Sequence, residues 1–399
     1  MERKIKVSGV GCCLVDRIYD HIDFGSEAFR RVTSRTSGDG GLEPGKLEFE
    51  EEVERFSGQR FAELLPTLTD GRLPNKENIG GPCIVALIHA AQLLGETAQV
   101  DFYGCRGDDE VGSHLAAALS RTPVNLAHYR IEPGKETAST VVLSDPNYDG
   151  GHGERTFVNT IGASWNYLPT DIDESFYEAD VCVFGGTAIV PRIHEGLDTM
   201  LRHAKDHGAL TVVNTVYDSL NERRAPGQRW PLGSSDESYR LTDLLIVDHE
   251  EALRLSGCTT IPEAMNFFIA QGTKAVLVTN GARDVYLQAV NSIFSELQLT
   301  TMPVSEAVTR RVKQGEKSDS TGCGDNFAGG AIASLCWQLS QGREVIDLRE
   351  AARWGIVSGG FACFYYGGTY FEQTSGEKLS LLQPLYAQYL EQTATRNGA

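Results

Sequence analysis

The chain opens on a short apolar run, Ile5-Lys6-Val7-Ser8-Gly9-Val10-Gly11, which predicts a strand entering a glycine turn. Polar positions then dominate residues 23–79, with a glycine-rich patch at 37–45 and an acidic patch at 48–54, and a helix is expected over 47–65. Beyond Gly81 the pattern becomes regular: 84–94 reads as a helix and 100–103 as a strand. Residues 138–160 alternate as antiparallel strands do, around the turn Asn147-Tyr148-Asp149-Gly150-Gly151. Short apolar runs follow at 181–184, 210–213, 244–247 and 275–279, with helical patterns at 194–206, 249–256 and 262–271. Strands separated by helices imply parallel βαβ units, and the β-rich stretches that interrupt them imply a small second sheet acting as a lid. The polar end of the chain, 391–399, predicts a frayed tail.

Composition narrows the picture. A chain of 399 residues that is 41% hydrophobic and 23% charged can bury a large core, and one main domain with an appendage is expected. The net charge of −18 argues against nucleic-acid and anionic-membrane partners, both of which need a basic face. It leaves a nucleotide open, because phosphates can be held by backbone amides and a few local cations. The nine cysteines form no CxxC and no Cys/His cluster, so they read as buried thiols in a reducing compartment. No run approaches 18 apolar residues, and Met1-Glu2-Arg3-Lys4 leads straight into a strand without a secretory pattern. The cytoplasm is the expected location.

The segment richest in chemistry is Asp319-Ser320-Thr321-Gly322-Cys323-Gly324-Asp325-Asn326-Phe327-Ala328-Gly329-Gly330-Ala331. Glycines at 322 and 324 permit a tight turn with inward amides, and the small residues after Asp325 suit a helix packed closely on its neighbours. Together they predict a helix N-terminus with free N–H groups, an anion site. Phosphoryl transfer asks for charge neutralisation and an oriented nucleophile, and a carboxylate at the same helix start can take the proton of an attacking hydroxyl. Two other glycine patterns fail. In Gly40-Gly41-Leu42-Glu43-Pro44-Gly45-Lys46-Leu47 a leucine replaces the Ser/Thr of a P-loop, and Gly9-Val10-Gly11-Cys12-Cys13-Leu14 lacks the third glycine of a dinucleotide fingerprint.

Asp-Ser-Thr-Gly-Cys-Gly-Asp at 319–325 resembles the signature near the C-terminus of PfkB-type carbohydrate kinases. Three further segments resemble that family in the same order. They are Gly80-Gly81 before a helix ending Leu94-Gly95, the run from Gly104 through Gly107-Asp108-Asp109 to Gly112, and Gly153-Glu154-Arg155-Thr156-Phe157. The resemblance spans about residues 5–370. It implies a ribokinase-like three-layer α/β/α fold, with a central mostly parallel sheet and a small β-rich lid. The kinase domain would occupy 1–390, with lid or insertion elements in 12–79 and 125–165.

The resemblance also implies roles. Asp325 would be the catalytic base, and the amides of Gly322, Cys323 and Gly324 the anion hole. Asp16 would bind the acceptor, with Gly80 and Gly81 letting the backbone approach it. Asn214 would contact phosphate, and Thr279 and Gly281 would border the nucleotide. Asp248 and Glu251 would organise the waters of Mg²⁺, which prefers hard oxygen ligands. ATP and Mg²⁺ are the implied cofactors, and a monovalent cation such as K⁺ would sit near Asp319 and Gly367-Gly368-Thr369. A sugar or sugar-like alcohol is the expected acceptor. A nucleoside kinase and a catalytically silent ligand-binding homologue are the alternatives. The chain departs from the family by lacking an Asn just after Gly80-Gly81, by Asp in place of Asn at 248, and by Cys in place of Ala at 323. A cysteine at a helix start can be reactive, though a slightly enlarged alanine is the simpler reading. The 23–79 region could cover the site, form a homodimer contact or do neither.

Overall fold

The computed structural model describes residues 4–36, 38–151, 153–316 and 320–397. Its strands, in chain order, are β1 (Ile5–Gly11), β2 (Leu14–Tyr19), β3 (Leu47–Phe49), β4 (Lys76–Gly80), β5 (Ala98–Gly107), β6 (Asn125–Glu132) and β7 (Ser139–Asp145). They continue as β8 (Glu154–Thr160), β9 (Val181–Gly185), β10 (Leu210–Asn214), β11 (Leu244–Asp248), β12 (Ala275–Thr279), β13 (Val285–Ala289) and β14 (Leu297–Met302). Nine of them form one sheet in the order β14-β13-β12-β11-β10-β9-β1-β5-β6, and five form a second in the order β3-β8-β7-β2-β4. The large sheet is parallel from β12 to β6, and β13 alone runs against the other strands, pairing antiparallel with both β12 and β14.

The apolar runs are continuous because both faces of the large sheet are covered. Val181, Val183, Leu210, Val212, Leu244 and Ile246 point into one core, under the helices Pro82–Leu94, Cys323–Ser340 and Leu348–Ala362. Cys182, Phe184, Val213, Leu245 and Val247 point into the other, which includes Leu197, Leu201, Ala264 and Phe268 of the opposite helical layer. The helix Cys323–Ser340 lies close against its neighbours. A Cβ on Gly329 would meet the Ala86 carbonyl at 2.5 Å, and one on Gly330 would meet Ser358 Oγ at 2.3 Å. Parallel direction brings the carboxyl ends of β1, β9, β10, β11 and β12 to one edge, where such sheets bind ligands.

The small sheet has a core of its own, in which Val141, Leu143 and Val158 pack with Phe29, Val53, Phe61 and Leu64. Here the structure departs from the sequence reading. The helix expected over 47–65 is a strand followed by two helices, Glu50–Ser57 and Phe61–Leu68, because Leu47–Phe49 pair in parallel with β8 and the chain breaks at Gly58. Residues 125–132, grouped with the lid, instead form β6 at the edge of the large sheet, paired in parallel with β5. The strand expected at 100–103 runs on to Gly107, carried by that pairing. The frayed tail is also corrected: a helix runs from Glu377 to Asn397. It is docked at its far end, where the Tyr389 hydroxyl donates to Pro303 O at 2.6 Å and Gln392 Nε2 donates to Val304 O at 3.0 Å.

Candidate active site

The turn at 320–325 reaches the ligand edge of the large sheet as the start of the helix Cys323–Ser340. Gly322 is its N-cap in the left-handed region (φ 75°), and a Cβ there would stand 2.4 Å from the Cα of Gly368. Glycine alone satisfies both constraints, so the loop Gly367–Thr369 can pack directly on the turn. The first amides of a helix have no intrahelical acceptor, and Cys323 N–H donates to Ser320 O in the turn at 3.4 Å. Above Gly324 the space is open. Asp325, in the first turn, is half-buried, and burial pushes its carboxyl up to about 6. Cys323 Sγ lies 3.6 Å from Cys363 Sγ.

The lid reaches this turn through Arg155 of β8, whose Nη1 donates to Thr321 Oγ1 at 2.7 Å and whose Nη2 approaches Ser320 Oγ at 3.5 Å. A cavity of about 250 Å³ lies between lid and turn, lined by Ile18, Asp20, His21, Ser144, Arg155 and Thr321 among others. Asp16 is buried on β2 and shares a face with Ile18, two residues on. Gly80 on β4, opposite Leu14, lies so near that a Cβ would fall 2.2 Å from Asp16 Oδ2. Gly81 forms the junction between β4 and the helix Pro82–Leu94. Asp16 and Asp325 both lie within electrostatic reach of Cys12. That thiol is raised above its ordinary range first by burial, then by Cys13, and also by these two carboxylates. Asn78, two residues before Gly80, is occupied elsewhere: its Nδ2 donates to Tyr366 O at 2.8 Å and Thr369 O at 3.3 Å.

On the other side of the turn stand the ends of β10, β11 and β12. Asn214 is buried beside Gly185, and among the described residues its Oδ1 has no hydrogen-bond partner. Asp248 caps the helix His249–Ser256: its Oδ1 accepts from Glu251 N at 2.8 Å, and Glu251 Oε2 accepts from Asp248 N at 3.1 Å. Glu251 is buried, also accepts from Thr215 Oγ1 at 2.5 Å, and is pushed up to about 8 by burial and then by Asp248. The Asp325 carboxylate also raises it, which puts the two within electrostatic reach. Strand pairing sets Thr279 beside Asp248, and Gly281 follows, exposed, in the turn closed by Arg283 N to Asn280 O. Asp248 and Glu251 are hard oxygen donors, but their reciprocal cap occupies one oxygen of each. They therefore suit contact with a magnesium ion through water.

The structure thus brings Gly322, Cys323, Gly324 and Asp325 together with Asp16, Gly80 and Gly81 on one flank and Asn214, Asp248 and Glu251 on the other. Thr279 and Gly281 lie farther out. Asp319 falls outside the described residues. Sequence reasoning missed Arg155 as a contact to the turn: it sits in the quoted Gly153–Phe157 segment, which was read only as a strand. It also missed Asn326 and Lys378, discussed below, whose surroundings carry no local signal.

A large mostly parallel α/β sheet with a small β lid, and a glycine turn presenting a half-buried carboxylate beneath that lid, define a ribokinase-fold kinase. The chain belongs to the pfkB carbohydrate kinase family, whose model matches residues 78–374, and it is a phosphotransferase acting on an alcohol group. It is 25% identical over 261 residues to a fructokinase of Vibrio alginolyticus, covering 64% of this chain and 76% of that one. The adenosine kinase of Sinorhizobium meliloti superposes with a TM-score of 0.68 at 20% identity, covering 96% of this chain and all of that one. A ribokinase-II-type protein of E. coli with ATP and Mg²⁺ bound superposes with a TM-score of 0.63 at 18% identity, covering 95% and 99%. Among the described residues no helix is long and apolar enough to cross a membrane.

Proposed function

We propose that this enzyme moves the γ-phosphoryl group of ATP to a hydroxyl of a sugar or sugar-like acceptor held between the lid and the Gly322–Asp325 turn. The observation that carries this reading is the half-buried Asp325, raised to about 6, at the start of a helix that has open space above Gly324. At neutral pH a carboxyl with that pKa is mostly ionised yet basic enough to take a proton as the hydroxyl attacks. The amides of Gly322, Cys323 and Gly324 would hold the oxygens of the phosphoryl group as it passes. Arg155, tied to Thr321, places a positive charge over the same turn.

Asp16 would accept hydrogen bonds from acceptor hydroxyls, and Gly80 and Gly81 would admit the acceptor close to the backbone. The unpartnered Oδ1 of Asn214 marks a polar group available to a ligand. Thr279 and Gly281 would border the nucleotide. Asp248 and Glu251 would hold water around Mg²⁺, which when bound neutralises charge on the transferring phosphates. A monovalent cation beside Gly367–Thr369 belongs to the same reading, and comparing K⁺ with tetramethylammonium tests it. Nine free cysteines suit a reducing, cytoplasmic setting.

A nucleoside acceptor is the second reading. No Asn follows Gly80-Gly81, and the nearest one, Asn78, is committed to Tyr366 and Thr369. The deciding experiment offers sugars, sugar phosphates and nucleosides with Mg-ATP and follows ADP release. Acceptor-dependent ADP release with one class identifies the substrate. ATP binding without turnover for any of them would favour the ligand-binding homologue.

A further inference from the structure

Behind the catalytic turn lies a cluster of polar groups that the proposed mechanism does not use. Lys378, at the start of the C-terminal helix, is buried to 1% exposure. Its Nζ donates to Gln92 Oε1 at 3.0 Å and to Asn326 Oδ1 at 3.1 Å, and it lies 5.9 Å from the ring centres of both Tyr365 and Tyr370. Among the described residues no carboxylate is within ion-pairing distance of it. Burying an ammonium without a counter-charge is costly, so its place needs a reason.

Asn326 supplies one. Its Oδ1 also receives His89 Nδ1 at 2.6 Å and the Tyr365 hydroxyl at 3.0 Å, while its Nδ2 donates to Gly322 O and Gly368 O, each at 2.8 Å. Donors crowd one end of the amide and carbonyls the other, so the side chain has one orientation. The Gly322 carbonyl takes a second bond from Asn326 N at 2.9 Å. With that oxygen pinned into the helix, the planar peptide fixes the Cys323 N–H on the opposite side, toward the turn at Ser320.

We propose that Lys378 is a positioning residue for phosphoryl transfer, which orients Asn326 and through it locks the Gly322–Cys323 peptide and the Gly367–Thr369 loop against each other. The ammonium saturates Asn326 Oδ1, and Gln92, which also donates to Tyr370 O at 2.7 Å, holds the ammonium from the other side. Burial pushes Lys378 down to about 7, partly offset by Glu372. The buried His89 is kept neutral by burial and by Lys378 itself. Its Nε2, with no partner, is consistent with an Nδ1–H tautomer donating to Asn326.

This inference rests on the phosphoryl-transfer reading, and its test separates the two. Lys378→Met keeps the stem and removes the charge. It should lower kcat about 10- to 100-fold, as small misplacements of catalytic groups do. ATP affinity and acceptor KM should stay within about twofold, and the melting temperature should not fall. Asn326→Ala should give a similar loss, and the double variant should be no worse than the single ones, because both act through one contact. Lys378→Gln, which keeps an N–H donor, should retain more turnover than Lys378→Met, and this comparison also serves if the methionine variant does not fold. A folded Lys378→Met with wild-type kcat, or losses that multiply in the double variant, would overturn the inference. An inactive Asp325→Asn beside an unaffected Lys378→Met sinks only the positioning role. A fully active Asp325→Asn sinks the reading beneath it.

Discussion

The two sheets use the same strand geometry for different ends. In the large sheet, successive residues of β9, β10 and β11 are apolar on both faces, and each face is covered by helices. In the lid sheet one face packs into an apolar core, while the other mixes apolar residues such as Ile18 and Val142 with polar ones. That second face carries a polar row across four strands: Asn78 of β4 stands opposite Asp16 of β2, Asp16 opposite Thr140 of β7, and Thr140 opposite Asn159 of β8. All four are buried, and Asn159 Nδ2 donates to Thr140 Oγ1 at 2.9 Å. Val141, Leu143 and Val158, one step out of phase, fill the lid's own core. Under the proposed function, the large sheet would position the transfer chemistry and the polar row of the lid would contact the acceptor. Changes in the first should alter turnover and changes in the second should alter acceptor binding.

Four measurements test that division. The largest effect belongs to Asp325→Asn, which should lower kcat by about 10²- to 10⁴-fold, the usual worth of a positioned base, while ATP still binds. Near-normal kcat would remove Asp325 from its role. Asp16→Asn comes next. Loss of a charged hydrogen bond of about 1.5–3 kcal/mol should raise acceptor KM roughly 10- to 150-fold. If steady-state kinetics show kcat falling instead and KM holding, the division between the sheets is wrong. Arg155→Gln probes the lid residue that bonds the turn itself and is the expected exception to that division: losing its bond to Thr321 should lower kcat about fivefold, near the ~1 kcal/mol of a typical hydrogen bond. An unchanged rate would mean that the lid closes without it.

The smallest effect is in pH. A base acts when deprotonated, and Asp325 is raised to about 6, so kcat should be flat above neutrality and fall as pH drops through that value. At pH 6 about half of the carboxyl is protonated and kcat should be near half its plateau. A profile flat down to pH 5 would contradict the buried carboxyl as the base.

Much of the transfer machinery was legible in the chain because its logic is local. Two glycines, a carboxylate and a run of small residues within 319–331 specify a tight turn and a closely packed helix whatever surrounds them. The cap Asp248–Glu251 is likewise made within four residues. The lid was less legible. The helix expected over 47–65 failed because Leu47–Phe49 found a strand partner more than a hundred residues away. Residues 125–132 were grouped with the lid because their alternation fits an edge strand of either sheet, and only pairing with β5 decides which. The tail was misjudged because polar residues such as Gln392 gain partners at Val304 and Glu306, which periodicity cannot anticipate.

By itself the sequence determined the alternation of strands and helices, the sheet direction that follows from it, and the turn that carries Asp325. These depend on periodicity and on contacts a few residues long. The tertiary structure alone decided that Arg155 spans the cleft to Thr321, that Asn78 closes onto Tyr366 and Thr369, and that Lys378 is buried against Asn326. Each of these joins side chains separated by tens to hundreds of residues, and hydrogen bonding between such groups leaves no periodic trace in the chain, because its geometry exists only once the layers have packed.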